Sequence, residues 1–214
     1  MRGLVLILIL FVWSCKDGKK FHDERNDKSD ITYSRGLKDA IAFQEKMNKE
    51  FKNPELSPLP DRYRKNFNGL DFFAPDSNYI ITAKFTKSLE ALPFRMATST
   101  GGHTEEVIYG KVSFVLEGKT HELEVYQNME LVQEEEYKDY LFLPFSDRTN
   151  GNETYEGGRY LDLSVPEGNT VVLDFNKAYN PYCAYNPKYS CPLVPEQNRL
   201  AVEIRAGVKA FEKE

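Results

Sequence analysis

Carboxylates, arginines and phenols crowd one stretch of the chain, residues 145–199. Six of the 13 tyrosines fall between Tyr155 and Tyr189, interspersed with Asp147, Glu153, Arg159, Asp174 and Arg199. Two chemistries suit these residue types. A guanidinium lined by phenol rings can receive a carboxylate or phosphate while the rings pack the ligand body. Two carboxyls about 5–9 Å apart can share the acid and base or nucleophile roles of glycoside hydrolysis. Asp147 and Glu153, on one loop, are the catalytic candidates. Asp147, Tyr155, Arg159, Asp174, Asn176, Asn180, Tyr185 and Arg199 form the expected ligand-contacting set. A structural assignment competes with both: an arginine paired with Asp147 or Asp174 would fix long loops, and Asp or Asn beside Gly or Pro often bonds its own turn.

Cys183 and Cys191 bracket seven residues that include Asn186-Pro187. In an oxidising compartment the simplest reading is a disulfide, worth on the order of 2–3 kcal/mol for a loop of roughly ten residues. Their spacing is not that of thioredoxin-like redox pairs. A zinc site would need two more ligands, and His22, His103 and His121 are distant in sequence. No EF-hand spacing, nucleophile elbow or phosphate loop occurs, so no metal and no cofactor are expected.

The N-terminus sets the expected compartment. Arg2, an apolar run over residues 4–13 and the small Ser14 before Cys15 have the parts of an export leader. Ten apolar residues are about half of what a membrane-spanning helix requires. The Ser14-Cys15 junction resembles a bacterial lipoprotein signal, which implies cleavage before Cys15 and diacylation of its sulfur. Val12 and Trp13 depart from the small and leucine-like residues usual there. Residues 16–30 are nearly devoid of apolar side chains and read as a flexible tether. The expected order is a signal peptide over 1–14, a lipidated tether over 15–30 and one β-rich domain over 31–214. Export would leave the protein in the cell envelope, on the periplasmic or cell-surface face, held to the membrane through Cys15.

With 28 basic and 33 acidic residues the chain is net acidic and has no basic cluster, which argues against a nucleic-acid partner. The positioning elements follow from periodicity. Leu37, Ala40, Ile41, Gln44, Met47 and Phe51 recur at helical spacing, predicting a helix over 34–51 with Ser34 as N-cap. Alternating apolar residues predict strands over 79–86, 92–99, 107–117, 120–128, 137–145, 159–165, 170–176 and 199–206. The third and fourth form a hairpin across Gly118-Lys119, and 159–165 is expected to pair with 170–176. Pro144 implies an edge or a bulge. The expected fold is mainly β: an antiparallel sandwich or partly closed barrel with one N-terminal helix packed on it.

Several runs together resemble the bacterial domain-of-unknown-function family 1684. They are Phe145-Ser146-Asp147-Arg148-Thr149-Asn150-Gly151, Gly157-Gly158-Arg159-Tyr160-Leu161, Asp174-Phe175-Asn176, Ala178-Tyr179-Asn180-Pro181, Cys183-Ala184-Tyr185, Cys191-Pro192-Leu193 and Asn198-Arg199-Leu200. The resemblance implies a domain over roughly 34–209 and carries no activity. The functional expectation is a lipoprotein binding module for a small polar or saccharide-like ligand, or a structural envelope protein. The enzymatic alternative is an envelope hydrolase using the loop carboxylates.

Overall fold

The computed structural model describes residues 24–212; the leader and Cys15 lie outside the described residues. Helix α1 (Glu24–Lys52) and the short α2 (Asp61–Arg64) precede seven strands. These are β1 (Ile80–Lys87), β2 (Phe94–Ala97), β3 (His103–Leu116), β4 (Lys119–Asn128), β5 (Tyr140–Phe145), β6 (Arg159–Ser164) and β7 (Thr170–Asp174). All strand pairs are antiparallel, in the order β6-β5-β4-β3-β1-β7, with β2 added to β3.

β6 and β7 do not pair with each other, contrary to the sequence expectation. They stand at opposite ends of the strand order, and β7 instead forms five register pairs with β1. Yet only residues 165–169 join them, a link that spans at most about 3.5 Å per residue. The two ends of the sheet are thereby held close, and the sheet curls into a nearly closed barrel. The seam is filled by residues 199–206, which keep the expected alternation: Leu200, Val202, Ile204 and Ala206 are buried. They do not form the predicted strand. Their partners lie along residues 146–148, through Leu200 N–H to Ser146 O (2.7 Å) and Arg148 N–H to Val202 O (2.9 Å). The barrel core packs these four against Phe85, Val112, Phe114, Leu123, Val125, Leu141, Leu143, Phe145, Leu161 and Phe175.

The β3–β4 hairpin turns one residue earlier than expected. Glu117 and Gly118 both take positive φ (51° and 71°), the conformation of a tight two-residue turn, and Lys119 already pairs with Leu116. Farther along β3 the register slips between Ile108 and Gly110. One extra residue in a period-two strand exchanges its faces. Val112, Phe114 and Leu116 therefore point into the barrel, while Thr104, Glu106 and Ile108, of the same parity, lie on its outer face. Gly110 sits where a Cβ would come within 2.7 Å of the Thr86 carbonyl oxygen, so no side chain fits there.

At Pro144, which has no N–H to offer β4, the ladder between β4 and β5 parts after the single pair Tyr126↔Phe142. The buried Asn198 side chain bridges the gap. Its Oδ1 accepts the Glu124 N–H (2.8 Å), and its amide nitrogen donates to Glu124 O (2.8 Å) and Pro144 O (2.7 Å).

α1 begins well before Ser34, so that residue is not its N-cap, and its bounds take in residues 24–30 assigned to the tether from composition. Ala40, Met47 and Phe51 are buried; Ile41, expected on the same face, is 47% exposed, and Phe43 and Gln44 face the domain in its place. Gln44 Nε2 donates to Asn176 O at 3.1 Å. Met47 and Phe51 pack into a second apolar cluster with Leu59, Leu70, Ala184, Tyr185 and Val208, each contributing roughly 1.5–3 kcal/mol of burial.

Candidate functional site

Half of the residues expected to meet a ligand are committed to each other, Asp147 with Arg159 and Asp174 with Asn176. Arg159 is fully buried and Asp147 nearly so, and their side chains pair at 2.8 Å. The guanidinium also donates to the carbonyls of Ile204 (2.7 Å), Val208 (3.4 Å) and Ala206. Asp147 Oδ1 accepts from Thr149 N–H (2.9 Å), Thr149 Oγ1 (2.6 Å) and Ile204 N–H (3.1 Å). The pair thus anchors the seam-filling segment to the barrel. Burial pushes the Arg159 guanidinium down from its ordinary value, and the Asp147 charge opposes that.

Asn176, also fully buried, clasps Asp76 through its N–H (2.8 Å) and carbonyl (2.9 Å) and takes Asp174 Oδ1 as a further partner (2.9 Å). Asp174 accepts the Asn176 N–H, holding its own turn. Asn180 donates to Lys209 O at 2.9 Å. Tyr185 is fully buried against Phe51, with ring centroids 4.8 Å apart. Burial, with Cys183 nearby, pushes the Tyr155 phenol up to about 12. Arg199 is exposed, and Glu153 pairs on the surface with Arg205 at 2.8 Å. Asp147 and Glu153, the proposed catalytic acids, are therefore each neutralised by an arginine, one in the interior and one at the surface.

Cys183 and Cys191 are both free cysteines, so the expected disulfide is not formed in the structure. They are adjacent, with Cys191 Sγ accepting the Cys183 N–H at 3.2 Å. Burial raises the Cys191 thiol to about 12, which keeps it protonated and a poor nucleophile at neutral pH.

A different place on the molecule opens to solvent. On the outer face of the sheet, under α1 and the 177–192 loop, lies a cleft of about 550 Å³. None of the eight expected ligand residues lines it. Its floor is built by strand alternation. β5 supplies Tyr140 and Phe142 and β6 Tyr160 and Asp162, outward because their odd-numbered neighbours, such as Leu141 and Leu161, face the core, while β4 supplies Asn128 and β3, beyond its register slip, Thr104 and Glu106. The loop contributes Tyr179, Tyr182, Tyr189 and Cys191. The roof is one stripe of α1: Phe43, Lys46, Met47, Glu50 and Phe51. Phe142 and Tyr160 meet edge to face with centroids 4.6 Å apart, and Tyr160 meets Tyr179 likewise at 5.8 Å.

Among the described residues, two carboxyl groups lie on the floor of this cleft. Glu106 is 2% exposed; Asn128 Nδ2 donates to its Oε1 at 2.7 Å, while its Oε2 is buried with no hydrogen-bond partner. Burial pushes its carboxyl above the usual range, against the opposing pull of the Asn128 amide and of the nearby Thr104 hydroxyl, which is itself buried without a hydrogen-bond partner. Asp162 is open to the cleft, with protein packed around its other sides. Its Oδ1 accepts from the hydroxyls of Tyr179 (2.6 Å) and Tyr140 (2.8 Å). Burial raises its carboxyl too, and the two phenol donors counter it in part. Burial, with the Asp162 charge beside them, holds both phenols above their ordinary value. Among the described residues no group of three or more His, Cys, Asp and Glu side chains could hold a metal ion.

The sequence pattern singled out neither Asp162 nor Glu106. The available signal was Gly110: a glycine inside a strand pattern marks a bulge, and a bulge there moves Glu106 from the core face to the outside.

Fold and cleft together define a small, nearly closed antiparallel barrel with a helix-roofed acidic and aromatic cleft on its flank. The chain belongs to the family described as "Protein of unknown function (DUF1684)", whose profile matches residues 65–209. The match contains the whole cleft floor and the 177–192 loop, while the α1 roof precedes it. The fold is similar to the solution NMR structure of an uncharacterized protein from Haloarcula marismortui, at 31% identity and a TM-score of 0.65, covering 86% of this chain and 97% of that one. No curated protein matches the chain.

Proposed function

We propose that this protein is an exported, lipid-anchored module that binds a small molecule in the cleft between α1 and the outer face of the sheet. The observation that carries the binding assignment is Glu106. A buried carboxyl oxygen without a partner is costly, and this one lines a cavity whose volume is that of small-ligand sites, about 300–1,000 Å³. A ligand donor there would remove the cost. Export and anchoring are supported by Arg2, the apolar run 4–13 and the Ser14-Cys15 junction. In an oxidising envelope, the adjacency of Cys183 and Cys191 supports closure of the 183–191 loop by a disulfide. The hydrolase alternative loses its original acids, because arginines neutralise both Asp147 and Glu153.

The test is hydrogen–deuterium exchange on the full chain purified in detergent, against a panel of small sugars, amines, carboxylates and phosphates. At least one class should protect peptides containing residues 104–106, 140–142, 160–162 and 179–192. Protection confined to residues 147–155, or no protection from any class, would overturn the cleft assignment.

A further inference from the structure

We infer that the cleft selects a small organic cation: an amine whose ammonium sits against Glu106 and Asp162 while its hydrocarbon or ring body packs on the surrounding aromatic faces. This rests on the cleft being the ligand site and adds the chemical class of the occupant.

Charge separates the candidates first. Glu106 and Asp162 line the floor, and Glu50 stands in the roof. Among the described residues no guanidinium lines the cleft, and the one cationic side chain that does, Lys46, is 74% exposed and already lies 3.7 Å from Glu50. A carboxylate or phosphate ligand would meet two acids with no counter-charge at the floor, and like charges at short range in a partly dehydrated site repel. A cation meets the opposite situation.

Hydrogen bonding narrows the class further. Glu106 Oε2 is an acceptor in need of a donor. Tyr140 and Tyr179 both donate to the same oxygen of Asp162, which leaves Oδ2 for a ligand. The acceptors are thus unpaired carboxyl oxygens, matched by the three donors of an ammonium. A sugar hydroxyl would satisfy one acceptor and leave the charge uncompensated. The remaining walls include Phe43, Phe51, Phe142, Tyr160 and Tyr179, aromatic side chains of the kind that attract cations and pack alkyl or ring bodies.

The experiment uses matched probes on the full chain: cyclohexylmethylamine, cyclohexylmethanol and cyclohexanecarboxylate, with phenethylamine and phenylethanol as a second body. Affinities are read by calorimetry for wild type, Glu106→Gln and Asp162→Asn, with circular dichroism reporting folding. The amines should bind at least about 10-fold tighter than the alcohols, as expected of charge-assisted hydrogen bonds. The carboxylate should not bind, and each substitution should weaken the amines about 10-fold or more while leaving the fold intact. Equal binding of amine and alcohol, or amine binding indifferent to both substitutions, overturns the inference. So does the absence of binding by either amine. In each case the cleft assignment is decided separately: it stands if any panel compound protects the floor strands from exchange, and falls if none does.

Discussion

The Asp147 carboxylate and the Arg159 guanidinium meet at 2.8 Å with both side chains wholly shielded from solvent. Such a pair adds little net stability relative to an apolar replacement, but removing one partner strands a buried charge. Arg159→Met should therefore cost about 3–5 kcal/mol in urea unfolding. The double variant Asp147→Leu with Arg159→Met should recover part of that loss. A single-variant cost below about 1 kcal/mol would contradict the structural role assigned to the pair.

Asn198 supplies the hydrogen bonds that Pro144 denies to β4. Asn198→Ala leaves Glu124 N–H, Glu124 O and Pro144 O without their partner, at about 1–3 kcal/mol for each buried group that water cannot reach. Asn198→Asp should be worse still at neutral pH, since a carboxylate would replace the amide nitrogen opposite two carbonyl oxygens. Chemical denaturation of both variants gives the order; an alanine variant less stable than the aspartate variant would refute it.

Glu106 makes the cleft dependent on pH. Its carboxyl is raised by burial from an ordinary 4.5, so over that window the folded state holds more protons than the unfolded chain. Stability then falls as pH rises from about 4.5 through the folded value. Asn128, Thr104 and Tyr140 stand close to the group, and Asp162 lines the same floor, with Lys46 and Glu50 in the roof. Glu106→Gln removes the titration and should melt above wild type at pH 8, the two converging near pH 4. A difference in melting temperature that does not change with pH would exclude this origin.

Oxidation of Cys183 and Cys191 is tested on protein recovered from the envelope without reductant. Mass spectrometry of the unreduced peptides should find 183 and 191 linked, and reduction should lower stability by roughly 2–3 kcal/mol in the chain-entropy model. Two free thiols on exported material would disprove the link.

The local pattern of the chain determined a good deal. Period-two alternation identified all seven strands and the residues that face the core, including Leu200, Val202, Ile204 and Ala206, because alternation reports which side of the chain is dry. Helical spacing located α1, and the wish of an arginine for a carboxylate offered Asp147 and Asp174 alike as partners, of which the fold gives Asp147 to Arg159. Alternation does not say which strand lies beside which. Only the tertiary structure placed β6 and β7 at opposite ends of the sheet, and only hydrogen-bond partners show that 199–206 is a seam filler and not a strand. The cleft was hidden for the same reason. Asp162, Glu106, Tyr140 and Tyr179 come from three strands and a loop far apart in sequence, and a one-residue slip at Ile108 and Gly110 decides that Glu106 faces outward. The dense 145–199 stretch signalled chemistry by composition, but folding buried most of it to lock the barrel. The carboxyls left facing open space were those on ordinary-looking strands, a distinction of burial that residue type cannot encode.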